Sequence, residues 1–101
     1  MIQAKIEIPM DKIIAFCQKW RIKEFSLFGS VLRDDFRPDS DVDVLVSFEE
    51  NAGWDLYDWV TMIDELKVIF GREVDLVSKK SLRNPFRRHE ILTTRKVLHA
   101  A

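Results

Sequence analysis

A chain of 101 residues, 47% hydrophobic and 33% charged, has the composition of one ordinary globular domain with a modest core and no room for a separate substrate domain. No apolar run approaches the roughly 20 residues that span a bilayer. Met1-Ile2-Gln3-Ala4-Lys5-Ile6-Glu7 also lacks the basic start and apolar stretch of a signal peptide, so cytoplasmic residence is expected.

From Met10 to Trp20 the apolar residues Ile13, Ile14, Cys17 and Trp20 recur at helical spacing, and a helix is expected after Pro9, ending near Arg21. Cys17 is the single cysteine; set among helix-patterned apolar residues, it reads as a buried structural thiol rather than a nucleophile. Glu24 to Phe28 reads as a short strand entering a Gly29-Ser30 turn. Ser30 is a good N-cap, so a short helix over Val31 to Asp35 is expected. Arg37-Pro38-Asp39-Ser40 reads as a turn with its backbone fixed by proline.

Val42 to Phe48 is the clearest strand, with Val42, Val44, Val46 and Phe48 on one face and Asp41 and Asp43 on the other. Asn51-Ala52-Gly53 breaks the pattern before a long helix from Trp54 to Phe70. Its stripe of Leu56, Val60, Ile63, Leu66 and Phe70 suits packing on a sheet, and Gly71 suits its C-cap. A third strand, Glu73 to Val77, sets Asp75 opposite Val74 and Leu76. A last helix is expected from Pro85 to about Leu92, followed by a short terminal segment from Lys96 to His99. Alternating helices and strands imply a layered α/β domain.

Charge divides this chain. The net −1 hides an asymmetry between residues 34–75, with 13 acidic and 3 basic side chains, and residues 79–101, with 7 basic and 1 acidic. The two regions read either as solvated faces that attract each other or as an acidic metal-binding centre beside a basic edge for phosphates or a partner.

The motif carrying most chemistry is Leu27-Phe28-Gly29-Ser30, ten residues, then Asp41-Val42-Asp43. Aspartates at i and i+2 of a strand project from one face and repel each other unless a cation offsets them. Magnesium suits such a site, because it takes one or two carboxylates together with substrate phosphates. Asp75, on the polar face of another strand, would add a third oxygen ligand and complete a two-metal site for in-line displacement at an α-phosphate. A Gly-Ser turn opening a helix offers backbone N–H groups, a hydroxyl and the positive end of the helix dipole to an anion. Arg33 would neutralise phosphate there, or alternatively pair with Asp34 or Asp35. His89 and His99 sit in no ligand-spaced cluster; His89 belongs to a surface run, Arg87-Arg88-His89. Trp54, Tyr57 and Trp59 crowd the start of the long helix, as core or as a patch for a partner.

The Gly29-Ser30 turn, the ten-residue gap and Asp41-x-Asp43 resemble the signature of the DNA polymerase β-type nucleotidyltransferase superfamily. Phe28-Gly29-Ser30-Val31-Leu32-Arg33 and Ser40-Asp41-Val42-Asp43-Val44-Leu45-Val46 are similar to its minimal bacterial and archaeal branch. Val74-Asp75-Leu76-Val77 and the ending Arg95-Lys96-Val97-Leu98-His99-Ala100 extend the resemblance from about Phe25 to the C-terminus. The family commonly has glycine after the arginine, where this chain has Asp34 and then Asp35.

The resemblance implies a two-layer α/β (α+β) nucleotidyltransferase fold, a small mixed sheet with helices mainly on one face. It implies one domain over residues 1–101: an N-terminal helix 10–21, a catalytic core 24–78, and a basic helix with a terminal segment over 79–101. It assigns nucleotide contacts to Gly29, Ser30, Arg33 and Ser40, and magnesium ligands and catalysis to Asp41, Asp43 and Asp75, with ATP as substrate. Members of this branch often act as antitoxins that transfer AMP from ATP to a tyrosine of a HEPN-type ribonuclease toxin, the expected partner and a candidate for a hetero-oligomer. The alternative is an antitoxin that covers its toxin without chemistry. So small a domain has little surface to hold a nucleic-acid primer, and it lacks the extra domain that antibiotic-modifying relatives use for a small-molecule acceptor.

Overall fold

The computed structural model describes residues 8–32 and 41–100. Helix α1, Met10–Trp20, begins where the Pro9 carbonyl accepts from the N–H groups of Lys12 and Ile13. It ends at Arg21, left-handed at φ 56°, whose N–H donates to the Cys17 carbonyl. Its buried stripe is Ile13, Phe16, Cys17 and Trp20. Phe16 takes the inward place expected for Ile14, which is 39% exposed, because a 100° step per residue carries position 14 away from the row of 13, 16, 17 and 20.

Strand β1, Ile22–Phe28, is followed by a 3₁₀ turn at Gly29–Leu32. Strand β2 is Val42–Phe48, helix α2 Leu56–Phe70 and strand β3 Val74–Ser78. After a second 3₁₀ turn at Lys79–Ser81 come helix α3, Pro85–Thr94, and strand β4, Lys96–Ala100. The sheet order is β3-β2-β1-β4. β2 and β3 are parallel, joined through α2, while β1 is antiparallel to both β2 and β4. Three helices against this mixed four-stranded sheet make the α+β nucleotidyltransferase architecture.

β1 begins at Ile22 rather than Glu24, β3 is shifted by one residue and α3 runs on to Thr94; two further departures have a local reason. α2 starts at Leu56 rather than Trp54 because Asp55 caps it. The Asp58 N–H donates to Asp55 Oδ1 at 2.9 Å and the Asp55 N–H donates back to Asp58 Oδ2 at 3.1 Å, a reciprocal capping box that leaves Trp54 outside. The terminal segment is a full strand rather than an appendage, setting Leu27 against Lys96 and Phe25 against His99. Arg95, at the entry to β4, donates from Nε to Glu24 Oε2 at 3.2 Å in a half-buried ion pair.

The main core lies between one sheet face and α1 with α2. Phe25 and Leu27 of β1, Val42, Val44 and Val46 of β2, and Met62 and Leu66 of α2 are all 0% exposed. The inward stripe of α2 differs from the one its sequence suggests: Trp59, Met62, Ile63, Leu66 and Phe70 pack inward, while Leu56 is 75% and Val60 49% exposed. The larger ring of Trp59, tilted against Phe48 at 6.3 Å between centroids, buries more apolar area than either aliphatic would and sets the rotation of the helix. Trp54 joins α1 to this assembly, its Nε1–H donating to the Trp20 carbonyl at 2.8 Å and its ring meeting Trp20 edge-on at 5.2 Å. Gly71 ends α2 in the left-handed region at φ 68°. A smaller cluster, Phe28, Leu45, Leu82 and Ile91, holds α3 to the opposite face. Among the described residues no helix is long and apolar enough to cross a membrane.

Candidate active site

Register and strand alternation place the acidic residues. β1 ends with Phe28 opposite Asp43, and the parallel pairing of β2 with β3 sets Asp43 opposite Asp75. Because Val42 and Val44 are buried in the main core, Asp43 and Leu45 face the side that carries α3. Asp75 alternates in the same way between Val74 and Leu76 and is exposed. Two aspartates thus sit side by side on adjacent strands roughly 4.8 Å apart, with Asp43 half-buried. Asp41 lies exposed just before β2. The mouth of β2 is tied to β3 by the Val42 N–H, which donates to the Glu73 carbonyl at 2.9 Å.

Gly29 is required by this arrangement twice over. Its φ is +73°, which L side chains rarely adopt. A Cβ built there would also stand 2.2 Å from Asp43 Oδ2, well inside van der Waals contact. The absent side chain is therefore a notch that seats the Asp43 carboxylate beside the turn. The Ser30 hydroxyl donates, at a long 3.5 Å, to the carbonyl of Asp41. Within the described residues Gly29–Leu32 form a 3₁₀ turn, and the groups it offers to an anion are the Ser30 hydroxyl and backbone N–H groups.

A cavity of about 540 Å³ opens beside the turn, lined by Phe28, Gly29, Ser30, Leu32 and Asp43 on one side. The other side is α3, through Arg87, Glu90, Ile91 and Thr94. The volume falls within the roughly 300–1,000 Å³ of small-molecule sites. The structure therefore brings together Gly29, Ser30 and Asp43 in one cavity, with Asp75 as the register neighbour of Asp43. Arg33 and Ser40 lie outside the described residues, as do Asp34 and most of the expected helix over 31–35.

Sequence reasoning missed the α3 wall. Its signal was present in the spacing of Arg87, Glu90, Ile91 and Thr94 along one helical face, but only tertiary packing shows that this face meets the Gly29-Ser30 turn.

The donor set fits a hard divalent cation. Carboxylate oxygens are the ligands magnesium prefers, and the notch at Gly29 holds one of them in place. Among the described residues no three Asp, Glu, His or Cys side chains gather as a ready-made metal cluster.

A profile of the family described as "Nucleotidyltransferase domain" matches residues 10–98. The protein adenylyltransferase MntA of Thermococcus cleftensis is 37% identical over 67 residues, which are 66% of this chain and 66% of that protein, just under two thirds. A crystal structure of a toxin–antitoxin with AMP-PNP superposes with a TM-score of 0.74 at 22% identity, covering 93% of this chain and 75% of that one. A structure of a tri-AMPylated Shewanella oneidensis HEPN toxin in complex with MNT antitoxin gives a TM-score of 0.65 at 22% identity, covering 91% and 70%. At that identity the two structures speak for the fold.

Proposed function

The chain belongs to the nucleotidyltransferase domain family as a minimal nucleotidyltransferase, and from that premise we propose that it transfers AMP from ATP to a tyrosine hydroxyl of a cognate HEPN-type toxin, silencing it as an antitoxin. The observation that carries the reading is the seating of Asp43 in the notch of Gly29, inside a cavity of nucleotide size. Relatives support it: MntA is named a protein adenylyltransferase, and an MNT antitoxin is seen with an AMPylated HEPN toxin.

In this reading Gly29 and Ser30 hold the triphosphate through backbone N–H groups and a hydroxyl. Asp41, Asp43 and Asp75 would hold magnesium, which neutralises the phosphates and lowers the pKa of the attacking hydroxyl. Arg33 and Ser40 are assigned to the nucleotide on their motif positions. β3 is an edge strand of the sheet, so Asp75 stands where an acceptor from another protein can reach and orients its hydroxyl. The bond from acceptor oxygen to α-phosphorus forms as the α,β-bridging bond breaks, and pyrophosphate leaves. The domain, taken as residues 1–101 with its catalytic core over 24–78, leaves the acceptor to be supplied by the partner.

One observation favours a second reading, neutralisation by contact alone. Leu56 and Tyr57, 75% and 84% exposed, and Val60 form an apolar group at the outer start of α2, a surface a partner could cover. Incubation with labelled ATP, magnesium and the toxin from the adjacent gene separates the two. Labelled toxin with the native protein, and none with the Asp41→Asn, Asp43→Asn double variant, is the expected result. No label with the native protein, with neutralisation intact in both, would establish contact instead.

A further inference from the structure

We propose that Arg87 of α3 is a ligand of the nucleotide's phosphates, closing the cavity opposite the Gly29-Ser30 turn. The inference rests on the nucleotide reading of that cavity and adds to it a residue from outside the motif. Its basis is how α3 is fixed. Ile91, 6% exposed, is clamped against Phe28 and Leu45, which sets the rotation of the helix about its axis. Residues four before and three after a clamped position share its face, and Arg87 and Thr94 accordingly line the cavity with Ile91.

The polar groups on this wall are not equally free to serve a ligand. The Thr94 hydroxyl donates to the Glu90 carbonyl at 2.6 Å within the helix. Arg88, the neighbouring arginine, points elsewhere, its Nη1 donating to the Lys79 carbonyl at 3.3 Å. Asn84 Oδ1 accepts from the N–H groups of Phe86 and Arg87, so the backbone at Arg87 is held while its guanidinium makes no ion pair with any described residue. Arg87 is also the one cation among the described residues that line the cavity.

A triphosphate lying along Gly29-Ser30 and Asp43 needs positive charge on the side away from the carboxylates. A guanidinium supplies that charge with a fork that matches phosphate oxygens. Glu90, one turn further along the same wall, repels phosphate and confines it to the Arg87 side. Its carboxylate suits a hydroxyl or amino donor of the nucleoside instead.

The test is equilibrium binding of ATP with magnesium, and separately of adenosine, to the native protein and three single variants. Arg87→Ala is expected to weaken ATP binding about tenfold or more, the range of a charge-assisted hydrogen bond, and to leave adenosine binding unchanged. Arg87→Lys should restore part of the loss. Arg83→Ala, which removes an equal charge from outside the cavity, should bind ATP like the native protein. Unchanged ATP affinity in Arg87→Ala overturns the assignment, as does an equal loss for ATP and adenosine, or a loss in Arg83→Ala as large as that in Arg87→Ala. Failure of the native protein to bind ATP overturns the nucleotide reading itself, and is told apart by appearing before any substitution.

Discussion

Two glycines of this chain adopt positive φ in almost the same conformation, +73° at Gly29 and +68° at Gly71, but in different surroundings. A Cβ at Gly71 would meet nothing within 4 Å, whereas one at Gly29 would stand 2.2 Å from Asp43 Oδ2 and 3.2 Å from its Cγ. Alanine at either position takes on the left-handed strain of an L residue, about 1–2 kcal/mol. For a domain of this length each kcal/mol corresponds to roughly 4–8 °C in Tm, so both variants should melt roughly 5–15 °C lower than the native protein. The clash at Gly29 is with the end of a side chain that can rotate, so its relief adds little to that loss and instead swings the Asp43 carboxylate out of the notch. Gly29→Ala and Gly71→Ala should therefore lose similar stability but part in function. In a thermal-shift titration with magnesium and ATP, ligand binding raises the Tm of the native state. Gly71→Ala should keep that ligand-induced rise and Gly29→Ala should lose most of it. A full rise in Gly29→Ala would refute the argument that the notch seats a ligand-binding carboxylate, and loss of the rise in Gly71→Ala would show that backbone strain alone accounts for the effect.

Trp54→Phe keeps an aromatic ring beside Trp20 but deletes the indole N–H that serves the Trp20 carbonyl. Urea unfolding should show a loss of about 1–3 kcal/mol, the cost of a part-buried acceptor left unpaired, and a change below a few tenths would mean that water replaces the bond. Burial pushes the Cys17 thiol up to about 12, so a thiol reagent at pH 8–9 should modify the unfolded chain and spare the native one. Because the folded thiol holds its proton more tightly than the unfolded one, its contribution is complete below the unfolded value near 9 and is lost as pH rises from there through about 12. Denaturant midpoints should fall across that window, and should fall less in Cys17→Ala.

Sequence by itself determined the local elements. Helical spacing located α1, valine alternation located β2 at Val42–Phe48, and Gly71 ended α2, because periodicity and backbone chemistry are properties of short stretches. Gly29, Asp43 and Asp75 stood out for the same reason: glycine suits a left-handed turn, and aspartate is disfavoured within a strand. What depends on contacts between distant stretches was not legible. The inward face of α2 was decided by competition between Trp59 and the aliphatics for one sheet surface, and Lys96–Ala100 became a strand because β1 offered a free edge. Most consequentially, Ile91 had to find Phe28 and Leu45 before α3 could set Arg87 against a turn more than 50 residues earlier in the chain. Burial of apolar area fixes that rotation, and no local pattern around Arg87 encodes where the buried face will land.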